Sequence, residues 1–181
     1  KYLKFKSSKE AMAHGFALLT EERKLNGMFG KDTIEFNTVI TNLHSYKTLG
    51  VLSKRKIREA ANREIETMRT RCLSADQGIS ALSGGNQQKV IIGKWLERSP
   101  DVFLMDEPTR GIDVGAKYEI YQLIIKMAKE GKTIIVVSSE MPEILGITNR
   151  IAVMSNRRLA GIVNTKETDQ ETLLRLSAKY L

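Results

Sequence analysis

Residues 82–90 read Leu82-Ser83-Gly84-Gly85-Asn86-Gln87-Gln88-Lys89-Val90 and lead directly into an amphipathic run that ends at Leu96. Ser83 is a good N-cap, because its side-chain oxygen can accept a hydrogen bond from a backbone N–H two or three residues on. Gly84 and Gly85 have no Cβ, so a large anion can approach the backbone closely. A helix start also exposes free N–H groups and about half a positive charge. The stretch therefore predicts either an anion site or an ordinary cap before a core helix, and residues downstream decide between them.

A second stretch follows one helix length later and reads Val102-Phe103-Leu104-Met105-Asp106-Glu107-Pro108-Thr109. Its four leading apolar residues are typical of a strand buried on both faces, as in a parallel sheet. Asp106 and Glu107 then fall at the carboxyl end of this strand, where open α/β sheets place their ligand chemistry. A solvated turn is the alternative, but two carboxylates directly after a buried strand indicate a site for Mg²⁺ and a water molecule.

Taken together, LSGGNQQ and FLMDEPT resemble the signature and Walker B motifs of the ABC-type ATPases. From about Ser8 to the end, the chain resembles the second nucleotide-binding half of monosaccharide importer ATPases, through the phrases HGFALLTEERK, DEPTRGIDVGAKYEIYQL, SSEMPEILGIT and IAVMSN. The resemblance implies an α/β, P-loop NTPase-like fold, a partial parallel sheet with helices on both faces. It also implies a helical subdomain at about residues 30–98, and a core at about 99–181 with a C-terminal β-hairpin.

The resemblance assigns roles to individual residues. Contacts to an ATP molecule held by a partner half fall to Ser83, Gly84, Gly85, Asn86, Gln87 and Asp113. Asp106 lies near Mg²⁺, and Glu107 polarises the attacking water. This division of labour suits phosphoryl transfer, which needs positioning and charge neutralisation rather than a covalent nucleophile.

Three departures from the family pattern stand out. No two glycines of the sequence are five apart, so the phosphate-binding loop GxxxxGK[ST] is missing, and we expect it to lie upstream of Lys1. Ser139 stands where the family usually has a histidine that senses the γ-phosphate. Glu21 stands where a metal-contacting glutamine is usual. Second halves of sugar importers resemble this chain at both of the last two positions.

Local patterns predict the other elements. These are strand-like alternation at Lys1–Phe5, a helix at Ser8–Gly15, buried strands at Phe16–Thr20 and Thr133–Val137, a hairpin of Ile151–Met154 with Leu159–Val163, and a helix at Thr168–Tyr180. The helix after Ser53 carries the apolar stripe Ile57, Ala61, Ile65, Met68 and Cys72, so that Cys72 is expected to be a buried thiol. The helix capped by Asp113 carries Val114, Tyr118, Tyr121, Ile125 and Ala128.

The composition is that of a globular domain with a basic first half. The chain has 181 residues and a net charge of +8, and residues 1–81 hold 15 Lys/Arg against 9 Asp/Glu. Such a bias is compatible with nucleic acid or an anionic membrane surface. Aromatic residues make up only 6%, without basic–aromatic interleaving, so we interpret the charge as a solvated face.

The resemblance also implies partners and a location. They are a first nucleotide-binding half on the same polypeptide, sugar-specific membrane permease subunits, and indirectly a periplasmic sugar-binding protein, at the cytoplasmic face of a bacterial inner membrane. We expect no nucleic-acid partner, an isolated chain that does not hydrolyse ATP, and self-association. Two alternatives stay open: an ABC ATPase that acts on nucleic acid, and an interaction module without catalysis.

Overall fold

The computed structural model describes residues 3–181, in two compact units of which the first runs to Val137 and the second spans Ser138–Leu181. The first unit contains helices α1 (Ser8–Ala13), α2 (Ile34–Val39), α3 (Lys54–Thr67), α4 (Gly84–Leu96) and α5 (Val114–Lys129). Its strands are β1 (Phe16–Leu19), β2 (Lys47–Thr48), β3 (Val51–Leu52), β4 (Val102–Asp106) and β5 (Thr133–Val137). Within residues 3–181, no helix is long and apolar enough to cross a membrane.

Three parallel strands form the sheet of the first unit, in the order β1-β4-β5. Leu19 pairs with Met105, and Asp106 pairs with Val137, so the carboxyl ends of the strands lie at one edge. Helix α4 contacts β1, and α5 contacts β5. This parallel α/β architecture confirms the predicted fold class.

The two faces of this sheet differ in burial. Ala17, Leu19, Phe103 and Met105 point to one face and are buried. On the other face Leu18 is 48% exposed, Ile135 51% and Val137 56%. The expectation that the strands are buried on both faces is therefore wrong, and helices cover the second face only incompletely. An unbroken apolar run shows what a strand can bury, but it does not show whether the same chain supplies the cover.

A helical region lies between β1 and β4. Its 3₁₀ turns are Ile40–Tyr46 and Ile79–Ala81, and a π-type turn spans Arg23–Gly27. Helix α2 packs against α3 and α4. One buried cluster joins Ile34, Ile79, Leu82 and Val90. A second joins Val39, Tyr46 and Ala60. The first cluster includes Leu82, just before α4, and Val90 within α4, so it fixes the segment that leads into this helix.

Helix α3 begins where predicted, because the Ser53 hydroxyl accepts a hydrogen bond from the backbone N–H of Lys56. It ends at Thr67, since Arg69 adopts the left-handed conformation (φ +49°) that terminates many helices. Cys72 consequently lies outside the helix, and its assignment to the helical stripe is wrong. It is half-buried against the first cluster, and burial raises the pKa of its thiol.

Helix α5 has the predicted cap but buries a different face. The carboxylate of Asp113 accepts a hydrogen bond from the N–H of Ala116 at 3.0 Å. The buried residues are Ile120, Ile124 and Met127, whereas Val114 is 84% exposed and Tyr118 is 63% exposed. The predicted stripe is wrong because apolar residues surround this helix, so periodicity alone does not select the packed face.

The second unit is built on the predicted hairpin, β6 (Arg150–Ser155) with β7 (Arg158–Asn164). Its turn residues Asn156 and Arg157 have φ values of +42° and +62°. Helices α6 (Met141–Ile147) and α7 (Gln170–Ser177) and a 3₁₀ turn at Thr165–Glu167 complete it. Ile151, Val153 and Leu173 form its core.

The strand-like alternation expected at the amino terminus is wrong for residues 3–5, which adopt no regular structure. Lys1 and Tyr2 lie outside the described residues. Helix α1 and strand β1 follow as predicted, and Gly15 joins them with φ +78°.

Candidate functional site

Helix α4 begins directly after Ser83, which occupies the N-cap position with an extended backbone. The prediction that its hydroxyl caps the helix is wrong, because that hydroxyl makes no capping bond. Instead Oγ of Ser83 accepts a hydrogen bond from Nδ2 of Asn86 at 2.9 Å. Oδ1 of Asn86 accepts one from the N–H of Arg71, also at 2.9 Å. The backbone N–H groups of the first turn therefore lack a side-chain cap, and they stay oriented toward the helix start.

The second glycine of the signature lets two helices approach closely. A Cβ on Gly85 would lie 2.4 Å from Cβ of Ala116 in α5, which is closer than any real carbon contact. The amino-terminal turns of α4 and α5 therefore touch backbone to side chain. Gly85 is required by packing within this chain, in addition to any approach of an anion.

A cavity of about 200 Å³ opens beside these two helix starts. Its lining consists of Arg71, Ser83, Gly85, Asn86, Asp113, Gly115, Ala116 and Glu119. Four of the residues predicted to contact nucleotide are among them: Ser83, Gly85, Asn86 and Asp113. The structure thus brings together residues that are 30 positions apart in the chain, as between Ser83 and Asp113.

The carboxylate of Glu119, which lines the cavity, is paired with a lysine. Its Oε2 lies 2.5 Å from Nζ of Lys89, which is buried and also donates to the carbonyl of Arg69 at 3.0 Å. The hydrogen bond from Lys89 lowers the pKa of the Glu119 carboxyl. Arg71 adds a cation on the same side. Lys89 in α4 therefore pairs with one of the two acids that line the cavity, and the other, Asp113, caps α5.

Gln87, also predicted to contact nucleotide, is buried instead. Its Nε2 donates to the carbonyl of Leu82 at 3.1 Å, and its Oε1 accepts from Nε of Arg23 at 3.4 Å. Gly84 sits against the same arginine. The Gln87 side chain is thus occupied within the protein, and its role as a direct contact stays a prediction.

The two carboxylates of the second motif lie at the carboxyl edge of the sheet. Asp106 is the last residue of β4, and the N–H of Glu107 donates to the carbonyl of Val137 at 2.9 Å. Glu107 adopts a left-handed backbone (φ +45°), which is rare for a residue with a Cβ. Glu21, just beyond β1, forms an ion pair with Arg110 at this edge. Glu21, Asp106 and Glu107 therefore all lie at the carboxyl edge of the parallel sheet.

Ser139 belongs to the second unit, where it follows Ser138 ahead of helix α6. Oγ of Ser138 donates to Oε2 of Glu143 at 2.8 Å and accepts from the N–H of Glu140 at 3.0 Å. These bonds fix the turn that contains Ser139. Its assignment as a switch position stays a prediction.

The carboxylate edge fits a magnesium ion that is held only in part by protein. Among residues 3–181, no group of three or more His, Cys, Asp or Glu side chains could hold a metal. Mg²⁺ commonly uses one or two carboxylates together with waters and substrate phosphates. Asp106, at the end of β4, is one carboxylate at this edge, and Thr20, whose Oγ1 is buried without a hydrogen-bond partner, directly follows β1.

Sequence reasoning missed Arg23 and Lys89. Arg23 lies in a charged stretch, residues 21–24, that follows the predicted strand and has no assigned role, and Lys89 lies inside the signature stretch without a motif role. The signal that could have found Lys89 is its position on α4, where Gly85, Ile92 and Gly93 lie three or four residues away on the same face, so that its side chain faces the interior.

Arginines on α3 form ion pairs with acidic residues. Arg58 bonds to Glu35 and, with both Nη atoms, to Asp76. Arg63 lies 2.6 Å from Glu97. The bonds to Asp76 and Glu35 raise the pKa of Arg58 further. These arginines are therefore engaged within the protein.

The family described as ABC transporter matches residues 6–110. The chain is 98% identical over 181 residues to a galactose/methyl galactoside import ATP-binding protein MglA of Treponema denticola, covering 100% of the chain and 36% of that protein. It is 55% identical over 180 residues to a protein of the same name from Vibrio vulnificus, covering 99% and 36%. The chain thus spans about a third of the length of these curated relatives.

Solved structures share its fold at low sequence identity. A nucleotide-free ATP-binding cassette from an ABC transporter superposes with a TM-score of 0.76 at 20% identity, covering 97% of this chain and 72% of that chain. A dimeric post-hydrolysis state of the cassette MJ0796, bound to ADP and Pi, superposes with a TM-score of 0.71 at 22% identity, covering 89% and 68%.

Proposed function

Because the chain belongs to the ABC transporter family, we propose that it forms part of the second nucleotide-binding half of a sugar importer ATPase. In the complete polypeptide this half donates the start of α4 to an ATP molecule held by the first half. The transported sugars are of the galactose and methyl galactoside class, as the names of the relatives suggest. The complex works at the cytoplasmic face of a bacterial inner membrane, with sugar-specific permease subunits and, indirectly, a periplasmic binding protein.

The observation that carries this proposal is the uncapped start of α4 beside a cavity. Oγ of Ser83 is turned to Asn86 rather than to the helix N–H groups. Those N–H groups and the helix dipole then favour an anion, and Gly84 and Gly85 keep side chains out of its approach. Lys89 offsets Glu119 in the same cavity. These features suit the γ-phosphate of ATP.

The magnitude of the helix contribution supports a shared site. A helix terminus contributes about 0.3–1 kcal/mol to anion binding, or about 2 kcal/mol at best. Even millimolar affinity requires about 4 kcal/mol. The signature can therefore complete a site in which other groups bind most of the phosphate charge. We propose that the first half provides those groups.

At the other edge of the domain, Asp106 would hold Mg²⁺, which neutralises phosphate charge during phosphoryl transfer. Glu107 would accept a hydrogen bond from the attacking water, and its backbone bond to Val137 fixes where its side chain starts. The ion pair with Arg110 holds Glu21 beside them. For Ser139, in the second unit, we propose the role of the switch residue.

Galactose uptake in cells tests this function. A strain that lacks its own importer would receive the complete polypeptide together with its permease and binding protein. We expect uptake with the natural sequence and its loss with Ser83→Arg, because a bulky cation then fills the phosphate position. Ser8→Arg, at an exposed serine on the first turn of α1, is the matched control and should retain uptake. Equal uptake with Ser83→Arg and Ser8→Arg at equal expression would refute the proposal.

A further inference from the structure

Arg23 connects the signature helix with the loop that follows β4. It lies in the π-type turn after β1 and is half-buried. Its Nη1 donates to the carbonyl of Arg110 at 2.8 Å, and its Nη2 donates to the carbonyl of Gly111 at 3.3 Å. Its Nε faces Oε1 of Gln87 in α4 at 3.4 Å. One guanidinium therefore spans three acceptors from two elements that are far apart in the sequence.

The contact to Gln87 continues toward Ser83. Gln87 is buried, and its Nε2 donates to the carbonyl of Leu82 at 3.1 Å and faces that of Ile79 at 3.4 Å. Leu82 directly precedes Ser83. A chain of hydrogen bonds therefore runs from the carbonyls of Arg110 and Gly111, through Arg23 and Gln87, to the residue before the signature serine.

Gly84 and Gly111 lie next to the guanidinium of Arg23. A Cβ on Gly84 would lie 2.8 Å from Nη2 of Arg23 and 3.2 Å from the carbonyl oxygen of Gly111. Gly111 itself has φ +66°, which turns its carbonyl and suits a residue without a Cβ. Gly84 thus leaves room for the guanidinium, a role that is separate from the approach of a phosphate.

The loop is also held through its side chain. Arg110, whose carbonyl accepts from Arg23, forms an ion pair with Glu21. Arg110 is therefore bound twice, at its backbone carbonyl by Arg23 and at its side chain by Glu21. This double contact fixes the position of the loop relative to the end of β1.

We propose that Arg23 is a positioning residue that holds the start of α4 and the loop 110–113 in one arrangement, through its contacts to Gln87, Arg110 and Gly111. This inference rests on the proposed function, since the arrangement matters for presenting Ser83 to ATP on the partner half. A planar guanidinium offers several N–H donors in a fixed geometry, whereas a lysine ammonium acts as a point donor. Lysine at this position can therefore replace one contact but not all three.

Hydrogen exchange in the complete polypeptide tests the positioning without relying on activity. In Arg23→Ala, amides of segments 83–88 and 110–113 should exchange about tenfold faster, because charge-assisted bonds are lost. Arg23→Lys should give a smaller increase, because lysine can keep one of the three contacts. Amides of the β6–β7 hairpin should be unchanged. Lys24→Ala is the matched control, since Lys24 is an exposed neighbour of the same charge. Unchanged exchange in Arg23→Ala, or an equal increase in Lys24→Ala, would overturn the inference.

A double-mutant cycle on ATP hydrolysis by the complete polypeptide with its permease provides a functional readout. Arg23→Ala removes the guanidinium and should reduce kcat about tenfold with little change in KM. Gly84→Ala displaces the guanidinium and also narrows the approach of the phosphate, so it should slow the natural protein more than it slows the Arg23→Ala variant. Gly78→Ala, whose added methyl group meets no atom within 4 Å, serves as control. Multiplicative losses in the double variant would contradict the inference. If the natural polypeptide does not hydrolyse ATP, the proposed function fails, and the exchange experiment still decides the role of Arg23.

Discussion

Glu107 combines a proposed catalytic role with an unfavourable backbone conformation. Its φ of +45° lies in the left-handed region, where a Cβ is crowded by the following carbonyl. Two backbone bonds hold it there: its N–H donates to Val137, and its carbonyl accepts from Arg110 at 3.1 Å. The sheet and the following turn thus impose the strain, which is a common arrangement at functional sites.

This strain predicts an unusual order of stability among variants. Glu107→Gly and Glu107→Ala both lack the carboxylate, but only alanine keeps the crowded Cβ. We expect Glu107→Gly to have a free energy of unfolding about 0.5–1 kcal/mol higher than Glu107→Ala, after allowing for the greater flexibility of unfolded glycine. Urea unfolding of the two variants measures the difference. An alanine variant as stable as the glycine variant would show that the conformation is unstrained.

Lys94 is a second residue whose conformation costs free energy, because its side-chain amine is buried. Its Nζ donates to the carbonyl of Gly27 at 2.5 Å and lies 5.4 Å from the centre of the Trp95 ring. Burial lowers the pKa of Lys94 from 10.5 to about 8. Below pH 8 the folded protein bears the full cost of the buried charge. Between pH 8 and 10.5 the unfolded chain holds a proton that the folded chain has released.

Stability should therefore rise with pH across that window. The gain from Lys94 approaches about 3 kcal/mol between pH 8 and 10.5, and Lys94→Met should lack it. The test is the free energy of unfolding of both proteins at several pH values in this range, with the difference attributed to Lys94. Parallel pH profiles for the two proteins would mean that the ammonium is not desolvated in the folded state.

At the scale of elements, the contact between α4 and α5 depends on a missing Cβ at Gly85. We expect Gly85→Ala to lower the free energy of unfolding by about 1–3 kcal/mol, as overpacking does elsewhere. Adding Ala116→Gly to the Gly85→Ala variant should restore part of the lost stability, because it removes the Cβ of Ala116 with which the new methyl group clashes. Gly146→Ala in α6 is the control, since nothing lies within 4 Å of the added methyl group, and it should be neutral or slightly stabilising. Denaturant midpoints for the four proteins decide the matter. A Gly85→Ala variant that matches Gly146→Ala would contradict the observed packing.

The sequence predicts elements better than it predicts their faces. Strands β1, β4 and β5, the hairpin and the capped start of α5 lie where motif and pattern put them. The buried face of α5 differs, because apolar residues occur around the whole helix. Ser83 behaves differently for a local reason: Asn86, one turn later, competes for its hydroxyl. Side-chain competition of this kind depends on atomic distances that residue types do not reveal.

Contacts across long separations were equally beyond pattern reasoning. The sequence brings Glu21, Asp106 and Glu107 to one edge because parallel strands end together. It does not reveal that Arg23 reaches residues 87, 110 and 111, since no periodicity links a loop arginine to backbone carbonyls. The motifs therefore propose which residues form the site, which stays a prediction, and the structure adds the contacts that hold those residues in place.

At the scale of the whole molecule, the open face of the sheet predicts self-association. Leu18, Ile135 and Val137 leave an apolar surface on which a second copy can bury area at about 25 cal/mol per Å². We expect the chain of 181 residues to sediment as a concentration-dependent oligomer. Replacing Ile135 and Val137 by threonine, which keeps strand propensity, should shift it toward monomer. Leu73→Thr, at an exposed leucine away from the sheet, should not. A monomer at all concentrations, or an oligomer indifferent to these replacements, would count against this role of the face.

The central claim is that this half donates its signature to ATP on the partner half, while its own carboxylate edge contributes less. Ser83→Arg blocks the donated site. Glu107→Gln removes one acid from the carboxylate edge, which we propose to be the weaker site. The decisive measurement is the steady-state ATP hydrolysis rate of the complete polypeptide in its permease complex, for the natural sequence and both variants at equal expression. The account predicts a far lower rate for Ser83→Arg than for Glu107→Gln. A lower rate for Glu107→Gln would contradict it and would assign hydrolysis to this half.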